Sequence, residues 1–208
     1  MKHYFLLLLL IGCIASGHAE SGWKAHWINT ERCQSETNTW LAFRKTVHID
    51  KVPQTLTARI AADSKYWLWI NGRLVVFEGG LKRGPSPYDP YYAPVEIAPY
   101  LQNGENTIAV LVWHLGKSGF SHVNSGLAAL LFEAVAPGVE IVSDKSWQCT
   151  VYDAYQDSEA IYPYLRLPES NIRFDARMEM SGWNQPGYTG KMPNAVIISS
   201  VGVAPLGK

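Results

Sequence analysis

ADSKYWLWINGRLVVFEGG, residues 62–80, and IAPYLQNGENTIAVLVW, residues 97–113, decide the fold. In the first stretch, two aromatic and apolar runs, Tyr66 to Ile70 and Leu74 to Phe77, flank Asn71-Gly72. That dipeptide adopts the positive φ angles of a two-residue type I′ turn, so the stretch reads as a β-hairpin. In the second, Gly104-Glu105-Asn106 is a turn signal feeding Thr107 to Trp113. That run is apolar at both alternating positions, as expected of a central strand covered on both faces.

The same alternation extends outward. Leu41 to Ile49 reads as a strand, and Leu56, Ala58 and Ile60 alternate with Thr57 and Arg59 as in a half-buried one. Gly126 to Ala134, Glu140 to Val142 and residues 147–153 continue the series; Ala98 to Leu101 reads as a short helical turn and Pro163 to Asn171 as loop. Short strands between turn signals predict an all-β protein, a jelly-roll β-sandwich of the galactose-binding type. Ala136-Pro137-Gly138 closes the strongest block, so we expect a sandwich over 27–136 and a C-terminal β extension over 139–208 that belongs in part to a neighbouring module.

Asn-Gly after an aromatic strand, then a long loop, a helical turn and a Gly-x-Asn strand start together resemble the N-terminal β-sandwich region of bacterial α-L-rhamnosidases, glycoside hydrolase family 78. Here those features are Ala62-Asp63, Tyr66 to Ile70, Asn71-Gly72, Glu78 to Tyr92, Ala98 to Leu101 and Gly104 to Asn106. The run Phe174 to Arg177, followed by Glu179 and Trp183, is similar to an Asp-Ala-Arg and Trp element that follows this module in the family. A looser form of the pattern marks sugar-binding domains of family 2 glycosidases. The resemblance covers residues 27–205.

The resemblance implies a carbohydrate partner, with glycans containing L-rhamnose as the first class to consider. It also implies a catalytic (α/α)6 barrel after the β modules, and none of its catalytic carboxylates has a matching position here. Glycoside hydrolysis uses an acid and a second carboxylate across the scissile bond. The expectation is therefore an inactive accessory module, a fragment or truncated product of an exported glycosidase. A free-standing carbohydrate-binding module and a purely structural buttress are the alternatives. Some relatives hold rhamnose through calcium, for which Asp63, Asn71, Asp89 and Asn124 are the oxygen donors at hand. No residue-by-residue match to such a site exists.

Composition agrees with a secreted β protein. Of 208 residues only 17% are charged, while eight are Trp and eleven Tyr. Lys plus Arg balance Asp plus Glu at 18 each, which leaves no basic surface for nucleic acid. Residues 1–19 read as a signal peptide, with Lys2, the apolar run Tyr4 to Ile14 and the small-residue site Gly17-His18-Ala19. Leu10-Ile11-Gly12-Cys13 also fits a lipobox, so the exported product is periplasmic, secreted or an outer-membrane lipoprotein. Cys33 and Cys149 remain after either cleavage, and sequence leaves their pairing open.

Sugar sites combine an aromatic ring with a few fixed hydrogen-bonding groups. The proline-stiffened loop from Glu78 to Tyr92 offers Arg83, Tyr88, Asp89, Tyr91 and Tyr92. A second group, Trp113, His114 and His122, lies on the segment joining two strands, with Ser121 and Asn124 beside it. The carboxylates Asp144, Asp153, Asp157, Glu159, Asp175 and Glu179 read as solvated outer-face residues, with Asp175 and Arg177 placed to pair.

Overall fold

The computed structural model describes residues 22–32, 35–80, 91–118, 123–158 and 172–200. Its strands are β1 (His26–Asn29), β2 (Thr39–Ile49), β3 (Thr57–Asp63), β4 (Lys65–Ile70), β5 (Arg73–Gly80), β6 (Ala93–Glu96), β7 (Gly104–His114), β8 (Ala129–Ala136), β9 (Val139–Val142), β10 (Gln148–Val151), β11 (Tyr155–Asp157), β12 (Ile172–Phe174) and β13 (Val196–Ser200). One sheet runs β13-β1-β8-β3-β6, with β9 also on β8; the other runs β10-β2-β7-β4-β5; β11 and β12 form a separate ribbon. The pairings are antiparallel. The result is the expected all-β sandwich.

The hairpin has the turn its sequence requires, with Asn71 at φ 51 and Gly72 at φ 77. β7 lies between β2 and β4, paired with β2 along its whole length from Gly104↔Ile49 to His114↔Thr39. Its alternate residues serve two cores. Ile108, Val110 and Val112 point between the sheets, where they join Phe43, Leu68, Phe132 and Trp147; Ala109, Leu111 and Trp113 point the other way. Fully burying each large apolar side chain contributes about 1.5–3 kcal/mol. Trp147 also keeps its indole N–H satisfied, donating to the Val142 carbonyl at 2.8 Å.

What covers the second face of β7 comes from the C-terminal part. Tyr152, Ala154, Trp183 and Met192 pack on Trp40, Ala42, Ala109, Leu111 and Trp113. In addition β9 pairs with β8, β10 with β2 and β13 with β1. Strands on the C-terminal side of the boundary expected at 136–139 thus pair into both sheets. Local alternation could not show this, because the strands after 139 are short and their partners lie far away in sequence.

Other expectations shift in detail. β5 continues through Glu78 to Gly80, so the segment expected as loop begins as strand; residues 81–90 lie outside the described residues. So do the leader, Cys13, Cys33 and Pro163 to Asn171. Cys149 is a free, buried thiol, and burial raises its pKa well above the ordinary value. Ala98–Tyr100 is a 3-10 helix, within the short helical turn expected over Ala98 to Leu101. Asp175 and Arg177 do pair, but at the start of a second 3-10 helix, Ala176–Met178, and not along a strand: Arg177 Nε donates to Asp175 Oδ1 at 2.9 Å.

Candidate functional site

Sequence placed eight residues in the candidate sugar site, and the structure separates them. Arg83, Tyr88, Asp89 and His122 lie outside the described residues. Tyr91 and Tyr92, just before β6, are exposed at 55% and 46%.

Trp113 and His114 are both 0% exposed, which removes them from any sugar-facing surface. Trp113 stacks on Trp40 with centroids 4.8 Å apart and donates from Nε1 to Asn38 Oδ1 at 2.7 Å. His114 places Nδ1 3.3 Å from the Asp63 carbonyl and 3.4 Å from its Oδ1. The reason is topological: β7 runs one residue further than expected, and the C-terminal segment roofs its outer face.

Of the oxygen donors considered for calcium, Asp89 lies outside the described residues and the other three are committed. Asn71 Oδ1 accepts from the Thr107 N–H at 2.9 Å, and Asn124 Oδ1 from the Gly126 N–H at 3.1 Å. Asp63 accepts from Ser64 Oγ at 2.7 Å and from the Ser125 N–H at 2.9 Å. Each donor holds its own turn or strand end. Among the described residues no three His, Cys, Asp or Glu side chains come together as a metal-binding group.

Tyr92 instead belongs to a cluster on the outer face of the six-stranded sheet. Arg59 on β3 stands opposite Glu133 on β8 and Pro94 on β6. Its guanidinium ion-pairs with Glu133, lies 3.8 Å over the centroid of Trp23 and 6.0 Å from that of Tyr92. Trp23 and Tyr92 meet edge to face, with centroids 5.3 Å apart. The Glu133 carboxylate, only 4% exposed, also accepts the backbone N–H groups of Lys24 and Ala25, and Arg59 donates to the Gly22 carbonyl at 3.1 Å. Lys24 pairs with Glu140, and that hydrogen bond raises the pKa of its ammonium.

Between these groups runs a groove of about 480 Å³, lined by Lys24, Thr57, Arg59, Tyr92, Pro94 and Glu133 among others. Its size falls within the range of small-ligand pockets. Sequence reasoning found Tyr92 but not Trp23, Arg59 or Glu133. The available signal was Arg59, a cation at an outward position of a half-buried strand; Glu133, its partner across the sheet, is far away in sequence.

No protein-family model and no curated protein matches the chain. Among solved structures, a family 78 rhamnosidase of Bacillus sp. GL1 superposes with TM-score 0.73 at 28% identity, over 88% of this chain and 19% of that one. The chain is built like a segment of the family 78 rhamnosidases. An α-L-rhamnosidase from Aspergillus terreus matches over 86% of this chain and 22% of its own at TM-score 0.65 and 22% identity, a likeness of fold. The apo form of a lectin from Pleurotus ostreatus matches 88% of this chain and 44% of its own, with TM-score 0.52 and 25% identity. The chain thus spans about a fifth of the rhamnosidases it resembles.

Proposed function

We propose that this chain is a non-catalytic, carbohydrate-associated β-sandwich module of an exported α-L-rhamnosidase-like glycosidase, acting on glycans that contain L-rhamnose and working beside an (α/α)6 catalytic barrel. The observation that carries this reading is the superposition on a segment of a family 78 rhamnosidase over 88% of the chain at 28% identity. Two of the described carboxylates agree with it. Asp175 is engaged by Arg177 and Asp144 by Lys45 and Ser146, each in a hydrogen-bonded role that offers no acid/base pair across a bond. The leader-like residues 1–19 support export.

A second reading, a free-standing carbohydrate-binding module, is favoured by the likeness to the mushroom lectin. Fold alone does not choose between them, because a jelly roll hosts many functions. The test is a pair of measurements on the purified chain: hydrolysis of a chromogenic α-L-rhamnoside and binding to immobilised rhamnosylated glycans. Binding without turnover is the expected result. Turnover abolished by one carboxylate substitution would refute the non-catalytic assignment.

A further inference from the structure

We infer that the groove beside Tyr92 takes one neutral pyranose unit of a glycan directly, with no bridging metal ion; the inference rests on the carbohydrate-associated reading above and names its site and ligand class. Three observations carry it. First, the groove presents an aromatic ring to solvent: Tyr92 is 46% exposed and braced edge to face by Trp23. Such a ring packs against the C–H face of a pyranose while hydroxyls at the rim are met by polar groups.

Second, the polar group beside that ring is fixed before any ligand arrives. Arg59 is held by Glu133, by the Gly22 carbonyl and by the Trp23 ring. Among the described residues its two hydrogen bonds both leave from Nη2, so Nε and Nη1 keep donors for ligand oxygens, and the side chain is 32% exposed. A donor already immobilised loses little rotamer freedom on binding.

Third, the charges cancel in pairs. Arg59 is closed by Glu133 within the groove, and Lys24, its other cation, by Glu140 beside it. A uronic acid entering it would bring its carboxylate towards Glu133, a like-charge contact that a neutral sugar avoids, and would find both cations already paired. A divalent cation is disfavoured by the same pairing: the Glu133 oxygens already accept from Arg59 and from two backbone N–H groups. Hydroxyls of a neutral sugar can accept from Arg59 and Lys24, both of which line the groove.

The experiment titrates the full chain, in excess EDTA, with methyl α-L-rhamnopyranoside, methyl β-D-galactopyranoside and methyl β-D-glucuronide, read by saturation-transfer NMR and calorimetry. Tyr92→Ala is run in parallel, its fold checked by thermal melting. At least one neutral glycoside is expected to bind in EDTA, to weaken about tenfold in Tyr92→Ala and to exceed the glucuronide about tenfold. Neutral binding that survives Tyr92→Ala, or that EDTA abolishes, would place the sugar elsewhere and overturn this inference while leaving the carbohydrate-associated reading intact. Preference for the glucuronide would overturn the ligand class. No binding of any probe to the wild type, together with no retention on rhamnosylated glycans, would sink both readings.

Discussion

Asn71 Nδ2 donates to Asn106 Oδ1 at 2.8 Å, tying the turn of the first hairpin to the turn that launches the central strand. Around this bond the two side chains saturate their neighbours. Asn71 also donates to the Tyr100 carbonyl at 3.1 Å, while Asn106 donates to the Gln102 and Gly104 carbonyls and accepts from the Gln102 N–H at 2.9 Å. The spacing Asn-Gly followed by Gly-x-Asn is thus a signature of how two connections are locked together, not of a ligand site. Asn106 is fully buried. Asn106→Leu should cost about 3 kcal/mol or more, since several buried backbone groups lose their partners at once. Urea denaturation measures it, and a loss under 1 kcal/mol would show that the lock is dispensable.

Tyr66 carries a buried hydroxyl with no hydrogen-bond partner, and desolvation pushes its pKa up to about 12. The unfolded chain titrates near the ordinary value of 10.0. Below that pH both states hold the proton and the contribution is fully present. As pH rises from 10 towards 12 the unfolded state releases its proton first, so stability falls. Tyr66→Phe should raise stability at neutral pH by about 1 kcal/mol and flatten the alkaline decline, because it removes an unpaired polar group with almost no change in shape. Thermal melts of both proteins across that alkaline window test the sign.

Cys149 sits in the core with its thiol pKa raised by burial, and the thiolate is the reacting species. Alkylation with iodoacetamide at mild alkaline pH should leave the Cys149 peptide unmodified in the native protein and label it fully in denaturant. Mass spectrometry of the digest distinguishes this cysteine from the others. Fast native labelling would mean that the β2–β10 edge opens readily.

Trp40 stacks against Trp67, Trp113 and Tyr155, with centroids 5.3, 4.8 and 4.1 Å away. It is the keystone of the core beneath the C-terminal segment. Trp40→Ala should destabilise by roughly 3–5 kcal/mol, through lost transfer energy plus the cavity left behind. The near-ultraviolet circular dichroism of the stacked indoles should collapse in the same variant while the far-ultraviolet β signal persists. A variant that keeps its near-ultraviolet spectrum would show that the C-terminal segment docks without the stack.

Residues whose partners are close in sequence were legible. The Asn71-Gly72 turn, the β4–β5 hairpin, the 3-10 helix at Pro99 and the two-faced character of β7 each follow from periodicity or from the backbone demands of one dipeptide. What escaped depends on pairing at long range. Nothing within ten residues of Trp113 reveals that Tyr152 and Trp183 will roof it, so it stood among the candidate site residues at a strand end. Arg59 and Glu133 each look like an ordinary outward charge until β3 and β8 are laid side by side. The candidate site was therefore half visible: the ring of Tyr92 by composition, its fixed polar partners only through the sheet.

The antiparallel union of β1 and β13, with His26 facing Ser200, has a consequence for how the protein is made. During synthesis the earliest described strand waits for one of the latest, and the six-stranded sheet stays open along β1 until β13 has emerged. Contacts of such long sequence separation are paid in loop-closure entropy and form slowly. Closure of that sheet edge should thus be a late, cooperative event that waits for residues 196–200.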